Sequence, residues 1–289
     1  MGSDRESPLK LFRTSAELHE WRLRQDDDIG FVPTMGNLHD GHMSLLEASL
    51  KQHQTSILSI FVNPTQFGPN DDFARYPRTL EQDCALAMEL LKKHPERELV
   101  IYAPATPEEI YPIGFSTVIT VPSLDGFLEG ACRPGHFNGV ATVVYLLFQL
   151  TKPRTAYFGR KDYQQYRVIK RMARDLGLPI RVKGMPIIRD QDGLALSSRN
   201  QYLSKEEKEL ALHISRTLNE AKLRLNHGVD AVKVWMDEQI KKDSRWQYLD
   251  VREARTLSEK IPAKGKIVFL GVLKVGSVRL LDNLEVELK

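Results

Sequence analysis

The stretch IGFVPTMGNLHDGHMSLLEASLK, residues 29–51, joins an apolar run to a segment whose apolar residues have helical spacing. The apolar run at 29–33 predicts a short buried strand, and residues 41–51 predict a helix that begins soon after it. Gly36 and Gly41 lie near this connection, where a backbone without side chains can approach a ligand closely. A strand that leads into a helix in this way is typical of an open parallel α/β sheet, whose ligands bind at the carboxyl ends of the strands.

The same alternation continues through the first two-thirds of the chain. A capping-box pattern at Thr79–Gln82 predicts the start of a second helix, with Cys84 on its apolar face. Two more helices are predicted, one from a cap at Asn138 to about Leu150 and one over 162–176. Further apolar runs predict strands at 56–62, 99–102, 117–121 and 155–158. This order predicts an α/β fold with a Rossmann-like, doubly wound parallel sheet and helices on both faces.

The pattern changes near residues 185–186, where the regular alternation of strands and helices ends. An Asp-Gly turn follows at 192–193, and a capping box at Ser204–Glu207 opens a long charged helix. The last strands are predicted at 248–251, 267–272 and 284–288. We therefore expect two domains, a Rossmann-like ligand-binding domain at 1–185 and a second, smaller α+β domain at 186–289.

Composition limits the class of protein. Apolar residues make up 42% of the 289 residues and charged residues 27%, which is typical of a soluble globular protein. The apolar runs stay well below the roughly 20 residues of a membrane-spanning helix, and the opening MGSDRESPLK has no signal-peptide core. Two cysteines, Cys84 and Cys132, are too few for a disulfide framework. These features favour the reduced cytoplasm.

The charge of the chain does not indicate nucleic-acid binding. The net charge is only +3. A basic row on one predicted helix consists of Arg167, Lys170, Arg171 and Arg174. Apolar residues mark the opposite side of the same helix, so a solvated face explains this row. We therefore expect neither nucleic acid nor a membrane among the partners.

His39 and His42 lie three residues apart at the start of the first predicted helix, so they share one face. Unpaired backbone N–H groups at a helix start suit phosphate, and imidazole N–H groups can donate to phosphate oxygens. One alternative is a zinc half-site, although zinc usually needs a third protein ligand. Another is a pair of ordinary surface histidines. The spacing alone leaves all three interpretations open.

Four later segments carry polar groups, and each also has an ordinary structural explanation. Residues 63–66 follow a predicted strand, where a plain turn uses the same residue types. Residues 133–139 contain positive groups before a predicted helix, and an ordinary surface loop explains them equally well. Lys161 offers phosphate a point charge, whereas Asp162 beside it serves equally as a helix cap. Residues 192–200 combine two serines with an arginine, which suits phosphate and also an ordinary serine-rich turn.

Taken together, these segments resemble one protein family. HDGH at 39–42 is similar to the HxGH signature of the nucleotidyltransferase superfamily, which includes class I aminoacyl-tRNA synthetases. PTMGNLHDGH at 33–42, FVNPTQF at 61–67 and SSRN at 197–200 together resemble the pantothenate synthetase, or pantoate–β-alanine ligase, family. Six segments match in the family's order, at 33–42, 61–68, 76–83, 133–139, 158–165 and 192–200, and the residues after 200 add no motif.

The resemblance implies a set of site residues. The segments that match ATP-binding positions contain Met35, Gly36, Asn37, Leu38, His39, Asp40, Gly41, His42, Gly159, Arg160, Lys161, Asp162, Ile188, Leu196, Ser197, Ser198 and Arg199. The positions implied for pantoate and β-alanine are Asn63, Gln66, Tyr76, Arg133, His136 and Gln165. Asp83 matches a residue that helps to hold Mg²⁺, although some relatives have two acidic residues where this chain has Gln82 and Asp83. Arg160 stands where glutamate is common in the family.

The activity that the resemblance implies is ATP-dependent condensation of pantoate with β-alanine through a pantoyl-adenylate, with release of AMP and pyrophosphate. It implies that His42 is a proton donor, and we expect the phosphates to be stabilised by His39, His42, Lys161, Ser197, Ser198 and Arg199. It also implies a homodimer, and we expect the second domain to close over ATP as a lid. Two rivals are a nucleotidyltransferase that keeps the nucleotide in its product and a noncatalytic nucleotide- or RNA-binding module.

Overall fold

The computed structural model describes residues 9–25, 28–69 and 71–289. The prediction about the opening segment MGSDRESPLK therefore concerns residues that lie mostly outside the described ranges. Within the described ranges one sheet contains β1 (Leu9–Phe12), β2 (Ile29–Thr34), β3 (Thr55–Ile60), β4 (Glu98–Tyr102), β5 (Thr155–Gly159) and β6 (Arg181–Met185). The strand order is β1-β4-β3-β2-β5-β6, and every neighbouring pair is parallel. The predicted parallel sheet is therefore confirmed.

Helices cover both faces of this sheet. They are α1 (Ser15–Arg22), α2 (Asp40–Leu50), α3 (Leu80–Leu91), the short α4 (Glu129–Cys132), α5 (His136–Thr151) and α6 (Tyr163–Asp175). Successive strand residues point to opposite faces. Phe31 and Ile57 pack with α1, α5 and α6, whereas Val32 and Leu58 pack with α2 and α3. Burial on both faces explains why these strands are continuous apolar runs in the sequence.

The sheet has a switch point at β2. This strand lies between β3, which the chain reaches next through α2, and β5, which it reaches much later. Ligands of open α/β sheets bind where the strand order reverses, in the crevice outside the carboxyl ends of the strands. Residues 33–34 form the carboxyl end of β2, so the stretch at 29–51 leads directly into this crevice.

A second, antiparallel sheet follows, made of β7 (Trp246–Glu253), β8 (Gly265–Val275) and β9 (Val278–Leu288). The helices α7 (Lys205–Leu223) and α8 (Val229–Lys242) pack against it around a core of their own. The predicted capping box of α7 is present, because the Ser204 side chain accepts from the Glu207 backbone N–H. The smaller α+β unit is thus confirmed, whereas the boundary at 185–186 stays a prediction. Among the described residues, no helix has the length and apolarity needed to span a bilayer.

Two predictions about element boundaries are wrong. Residues 117–121, all described, do not form a strand. Instead, the backbone N–H of Ile119 donates to Thr142 Oγ1 on α5 at 3.0 Å, so this segment pairs with a helix side chain. Asn138 does not cap α5, which begins two residues earlier at His136, directly after Gly135 with φ +79°. Because Gly135 readily adopts this left-handed conformation, the helix begins there and not at the polar residue Asn138.

The start of α3 also differs from the prediction. The Thr79 hydroxyl donates to Asp83 Oδ2 at 3.2 Å, and the Thr79 side chain accepts no helix N–H, so the capping box is not formed. Cys84 is half-buried and unpaired, and the buried positions of the helix are Asp83, Ala87, Leu90 and Leu91. The buried face of α3 thus includes a carboxylate, whereas the predicted face was based on apolar residues alone.

Candidate active site

A pocket opens at the carboxyl ends of β2, β3 and β5. All six sequence segments contribute to its wall. The predicted residues that line it are Met35, His39, Gly41, His42, Asn63, Gln66, Tyr76, Arg133, His136, Gly159, Lys161, Asp162, Gln165, Ile188, Leu196, Ser197, Ser198 and Arg199. Those that do not are Gly36, Asn37, Leu38, Asp40, Asp83 and Arg160. Folding thus gathers most of the predicted set in one place.

The two histidines at the start of α2 stack on each other, with ring centroids 4.1 Å apart. His39 Nδ1 accepts from the Gly41 backbone N–H at 3.1 Å, so His39 caps the helix and its neutral ring carries hydrogen on Nε2. Burial, together with the Lys161 charge, lowers the pKa of His39 to about 4. Burial, with His39 and Lys161 nearby, lowers the pKa of His42 to about 3. Both rings are therefore neutral at pH 7 in the free protein.

The turn after β3 forms a network of side-chain amides. Asn63 is 1% exposed, and its Nδ2 donates to Gln66 Oε1 at 3.1 Å and to the Gly139 carbonyl at 3.2 Å. Its Oδ1 accepts from the Tyr111 hydroxyl at 2.8 Å. Within the described part of the chain, Gln66 Nε2 donates only to the weak acceptor Met35 Sδ, at 3.0 Å. The amide of Asn63 is therefore fully engaged, while Gln66 keeps donor capacity toward the pocket.

Arg133 and His136 form a second polar wall at the start of α5. Arg133 pairs with Asp71 at 2.7 Å, and the Arg133 guanidinium also lies 3.2 Å from His136 Nε2. His136 Nδ1 donates to the Gln66 carbonyl at 2.9 Å, since that carbonyl can only accept. Burial and the Arg133 charge lower the pKa of His136 to about 4. The sequence prediction did not include Asp71, because a lone loop carboxylate carries no signal.

The segment at 197–200 lies against the loops that follow β2 and β3. Ser198 Oγ donates to the Asn37 carbonyl at 3.2 Å. Arg199 donates through two nitrogens to Asp72, at 2.9 and 2.8 Å, and its guanidinium lies 5.8 Å from the centre of the Tyr76 ring. This bidentate pair fixes the orientation of the guanidinium. Asp72, like its neighbour Asp71, was not predicted from the sequence.

The smaller sheet supports the loop that carries Lys161. Asn283 on β9 is 4% exposed, and its Nδ2 donates to the carbonyls of Arg160 and Lys161, both at 2.8 Å. The Arg160 side chain turns away from the pocket and pairs with Glu285 at 3.4 Å. Asp162 precedes α6 but makes no side-chain capping bond, so the helix-cap explanation for it is wrong. Only tertiary structure reveals these supports, since β9 carries no motif.

Apolar residues form the remaining wall. They come mainly from α5 and from the end of β5: Val140, Val143, Val144, Leu147 and Phe158. The apolar character of α5 is evident in the sequence, but nothing in the sequence places this helix at the site. A pocket that combines cationic and N–H donors with apolar side chains suits a polyphosphate and a small, partly apolar acid.

The predicted magnesium contact does not fit the structure. Asp83 is 1% exposed and lies outside the pocket wall. Its two carboxylate oxygens accept from the backbone N–H groups of Asn37 and Leu38. In the described ranges, no cluster of three or more histidine, cysteine or acidic residues has a geometry that can hold a metal ion. Among the described residues, neither Asp83 nor the pair of His39 and His42 belongs to such a cluster.

Comparison with known proteins identifies the family. The model of the family described as pantoate-beta-alanine ligase matches residues 10–285. Pantothenate synthetase from a Sulfurihydrogenibium species is 45% identical, over 91% of this chain and 93% of its own length. The enzyme of that name from Moorella thermoacetica is 46% identical, over 90% and 91%.

Solved structures agree with this result. Pantothenate synthetase from Thermus thermophilus superposes with a TM-score of 0.84 at 41% identity, over 95% of this chain and 98% of that one. Pantoate-beta-alanine ligase from Francisella tularensis, solved in complex with beta-gamma ATP and beta-alanine, gives 0.71 at 31% identity, over 96% and 97%. Since the family model covers nearly the whole chain and these relatives match over more than 90% of their own length, the chain belongs to the pantoate–β-alanine ligase family.

Proposed function

We propose that this chain condenses pantoate with β-alanine at the expense of ATP, through a pantoyl-adenylate, and releases AMP and pyrophosphate. The observation that carries the proposal is the pocket itself, in which all six family segments meet at the switch point of the sheet. Membership of the family indicates which substrates to expect, namely pantoate and β-alanine. ATP is taken up as its magnesium complex, with the ion belonging to the substrate.

In the first step a carboxylate oxygen of pantoate attacks the α-phosphorus of ATP. A phosphorus–oxygen bond forms, and pyrophosphate leaves with the electron pair of the bond that breaks. Negative charge grows on the phosphate oxygens, and donors already in position stabilise it without reorganising. Those donors are His39, His42, Lys161, Ser197, Ser198 and Arg199, all of which line the pocket.

The histidines assist this step as neutral donors. With pKa values of about 4 and 3, His39 and His42 hold no extra proton to transfer at pH 7 in the free protein. His39 keeps its Nε2–H for a phosphate oxygen, because its Nδ1 accepts from the Gly41 N–H. The resemblance implies that His42 is a proton donor. We infer instead that its neutral ring donates a hydrogen bond.

Gln66 is the amide that orients the acid. Its Nε2 donates to a thioether sulfur, a weak acceptor that pantoate can replace, and Gln165 lines the same pocket. Asn63 acts through Gln66, because every polar atom of its amide is already bonded within the protein. Holding both reactants in place contributes about 7–11 kcal/mol to such reactions.

In the second step the amine of β-alanine attacks the acyl carbon of the adenylate. A carbon–nitrogen bond forms, the carbon–oxygen bond to phosphate breaks, AMP leaves, and the nitrogen loses a proton. Water must be excluded meanwhile, because it would hydrolyse the adenylate. The 197–200 segment already lies across the pocket through Ser198 and Arg199, which supports closure by this segment. Asn283 ties β9 to the Lys161 loop, so we infer that the smaller sheet itself stays docked.

Product analysis tests the proposal. The purified chain is incubated with Mg-ATP, pantoate and β-alanine, and AMP and pantothenate are followed by mass spectrometry. The expected result is equal formation of both products, dependent on all three substrates. A product that retains the nucleotide would instead support the nucleotidyltransferase alternative. ATP binding without any turnover would support the noncatalytic module.

A further inference from the structure

The Asp83 carboxylate lies beneath the turn between β2 and α2, enclosed by hydrogen-bond donors. Its Oδ1 accepts from the Leu38 backbone N–H at 2.7 Å, and its Oδ2 accepts from the Asn37 backbone N–H at 3.0 Å. The Thr79 hydroxyl adds a third donor at 3.2 Å. Both oxygens are thus used by the protein, and only 1% of the residue is exposed.

This turn has an unusual backbone that needs such a partner. Gly36 has φ +83° and Asn37 has φ +50°, so two successive residues lie in the left-handed region. Successive N–H groups in turns of this kind point to one side and form a concave anion-binding site. Asp83 fills that site. A Cβ added at Gly36 would lie 3.0 Å from Asp83 Oδ2, which shows how closely the turn approaches the carboxylate.

The same turn is connected to three parts of the pocket. The Asn37 carbonyl accepts from Ser198 Oγ at 3.2 Å. Met35, just before the turn, contacts Gln66 through its sulfur. His39, just after the turn, caps α2 and stacks on His42. A shift of the turn would therefore move the histidines, the serine contact and the amide network together.

We propose that Asp83 is a positioning residue that holds the turn at 36–38, and that it is not a ligand of magnesium. The inference rests on the proposed function for its effect on rate. A Mg²⁺ ion needs six oxygen ligands at about 2.0–2.1 Å in near-octahedral geometry. The Asp83 oxygens instead face N–H and O–H donors, which would have to be displaced before a cation could approach.

A titration of the wild-type chain with Mg²⁺ alone tests the inference without any substitution. The backbone amide signals of Asn37 and Leu38 are followed by NMR, without nucleotide, through millimolar concentrations of the ion. The expected result is that these two signals do not move. A saturable shift of both signals would overturn the inference, because it would place the ion at the Asp83 carboxylate.

Asp83→Asn tests the positioning role, with Glu81→Gln as control, since Glu81 is an exposed carboxylate in the first turn of the same helix. An amide accepts through one side only, so one backbone N–H of the turn would face an NH₂ group. We expect hydrogen exchange of the Asn37 and Leu38 amides to accelerate, and kcat/KM to fall by about 100-fold, the loss expected for a shift near 1 Å.

The loss should be the same at every Mg²⁺ concentration, and Glu81→Gln should match the wild type in both measurements. Rescue of Asp83→Asn by added Mg²⁺, or wild-type exchange and activity in that variant, would overturn the inference. The exchange measurement needs no substrate. It therefore decides the role of Asp83 even if the wild-type chain makes no pantothenate, an outcome that would refute only the proposed function.

Discussion

Gly139 permits α5 to touch the turn that carries Gln66. A Cβ added at Gly139 would lie 2.4 Å from the Thr65 carbonyl oxygen, 2.5 Å from the Thr65 carbonyl carbon and 2.7 Å from Gln66 Cα. Since unstrained contacts of this kind lie near 3.5 Å, the Gly139→Ala substitution must separate helix and turn by about 1 Å. Every one of these contacts is backbone, so no side-chain rotation can relieve them.

The expected effect on rate is large. The bond from Asn63 Nδ2 to the Gly139 carbonyl is already 3.2 Å long and would break. Displacement of reacting or orienting groups by 1 Å costs about 100-fold in rate, so kcat/KM for pantoate should fall by about that factor. Stability should change less, because overpacking costs about 1–3 kcal/mol while alanine favours a helix over glycine by about 1 kcal/mol.

The assay is steady-state formation of pantothenate at varied pantoate, with thermal unfolding measured on the same samples. Gly126→Ala is the matched control, because a Cβ there meets nothing within 4 Å and the residue has no positive φ. The control should keep wild-type kinetics. A folded Gly139→Ala variant with kcat/KM within about threefold of the wild type would refute the role assigned to this contact.

Three further predictions concern charge and support. The pocket histidines His39, His42 and His136 resist protonation in the folded protein until pH falls to about 4 or below, whereas unfolded histidine takes up protons near 6.5. The free energy of unfolding in urea should therefore fall between pH 6.5 and 5, by about 1.5 kcal/mol per histidine, and a flat profile would contradict this. Arg199→Ala should lower kcat/KM for ATP by about 10- to 100-fold, and adding Asp72→Ala to this variant should lower it little further. If the losses of the two single variants multiply in the double variant, Arg199 and Asp72 are not coupled. Asn283→Ala should raise KM for ATP by about 10-fold, which corresponds to the loss of one or two hydrogen bonds. An unchanged KM would show that the contacts of Asn283 with the Lys161 loop do not support ATP binding.

Central strands were predictable from the sequence, and edge strands were not. The runs that became β2 and β3 are buried on both faces, so their residues are continuously apolar. Among the described residues, β1 and β6 stand at the two ends of the strand order, and β6 reads RVKGM, which has no strand pattern. Neither strand was predicted.

Most of the predicted site residues could be identified because each polar group follows a strand or starts a helix, and the sheet brings those ends together. Residues that hold the site in place were not predicted. Asp71, Asp72 and Asn283 act through contacts across 62 to 127 residues of sequence, and single polar residues give no pattern at that distance. Asp83 was predicted as a contact of a metal ion, whereas in the structure its carboxylate accepts from two backbone N–H groups.

Other implications of the family stay predictions for this chain. These are a homodimer, a cytoplasmic location and a catalytic role for each pocket residue. The two departures from the family pattern have different outcomes in the structure. Arg160 points to Glu285, away from the pocket, so the change from glutamate leaves the wall intact. Gln82 is exposed and leaves Asp83 alone beneath its turn.

Oxygen transfer from pantoate to AMP tests the central claim most directly. Pantoate labelled with ¹⁸O in its carboxylate is incubated with ATP, β-alanine and the chain, and the AMP is analysed by mass spectrometry. If the pantoyl-adenylate forms and the amine displaces AMP at the acyl carbon, each AMP carries one labelled oxygen in its phosphate. Unlabelled AMP, or ADP in place of AMP, would contradict the adenylate and the function proposed for this pocket.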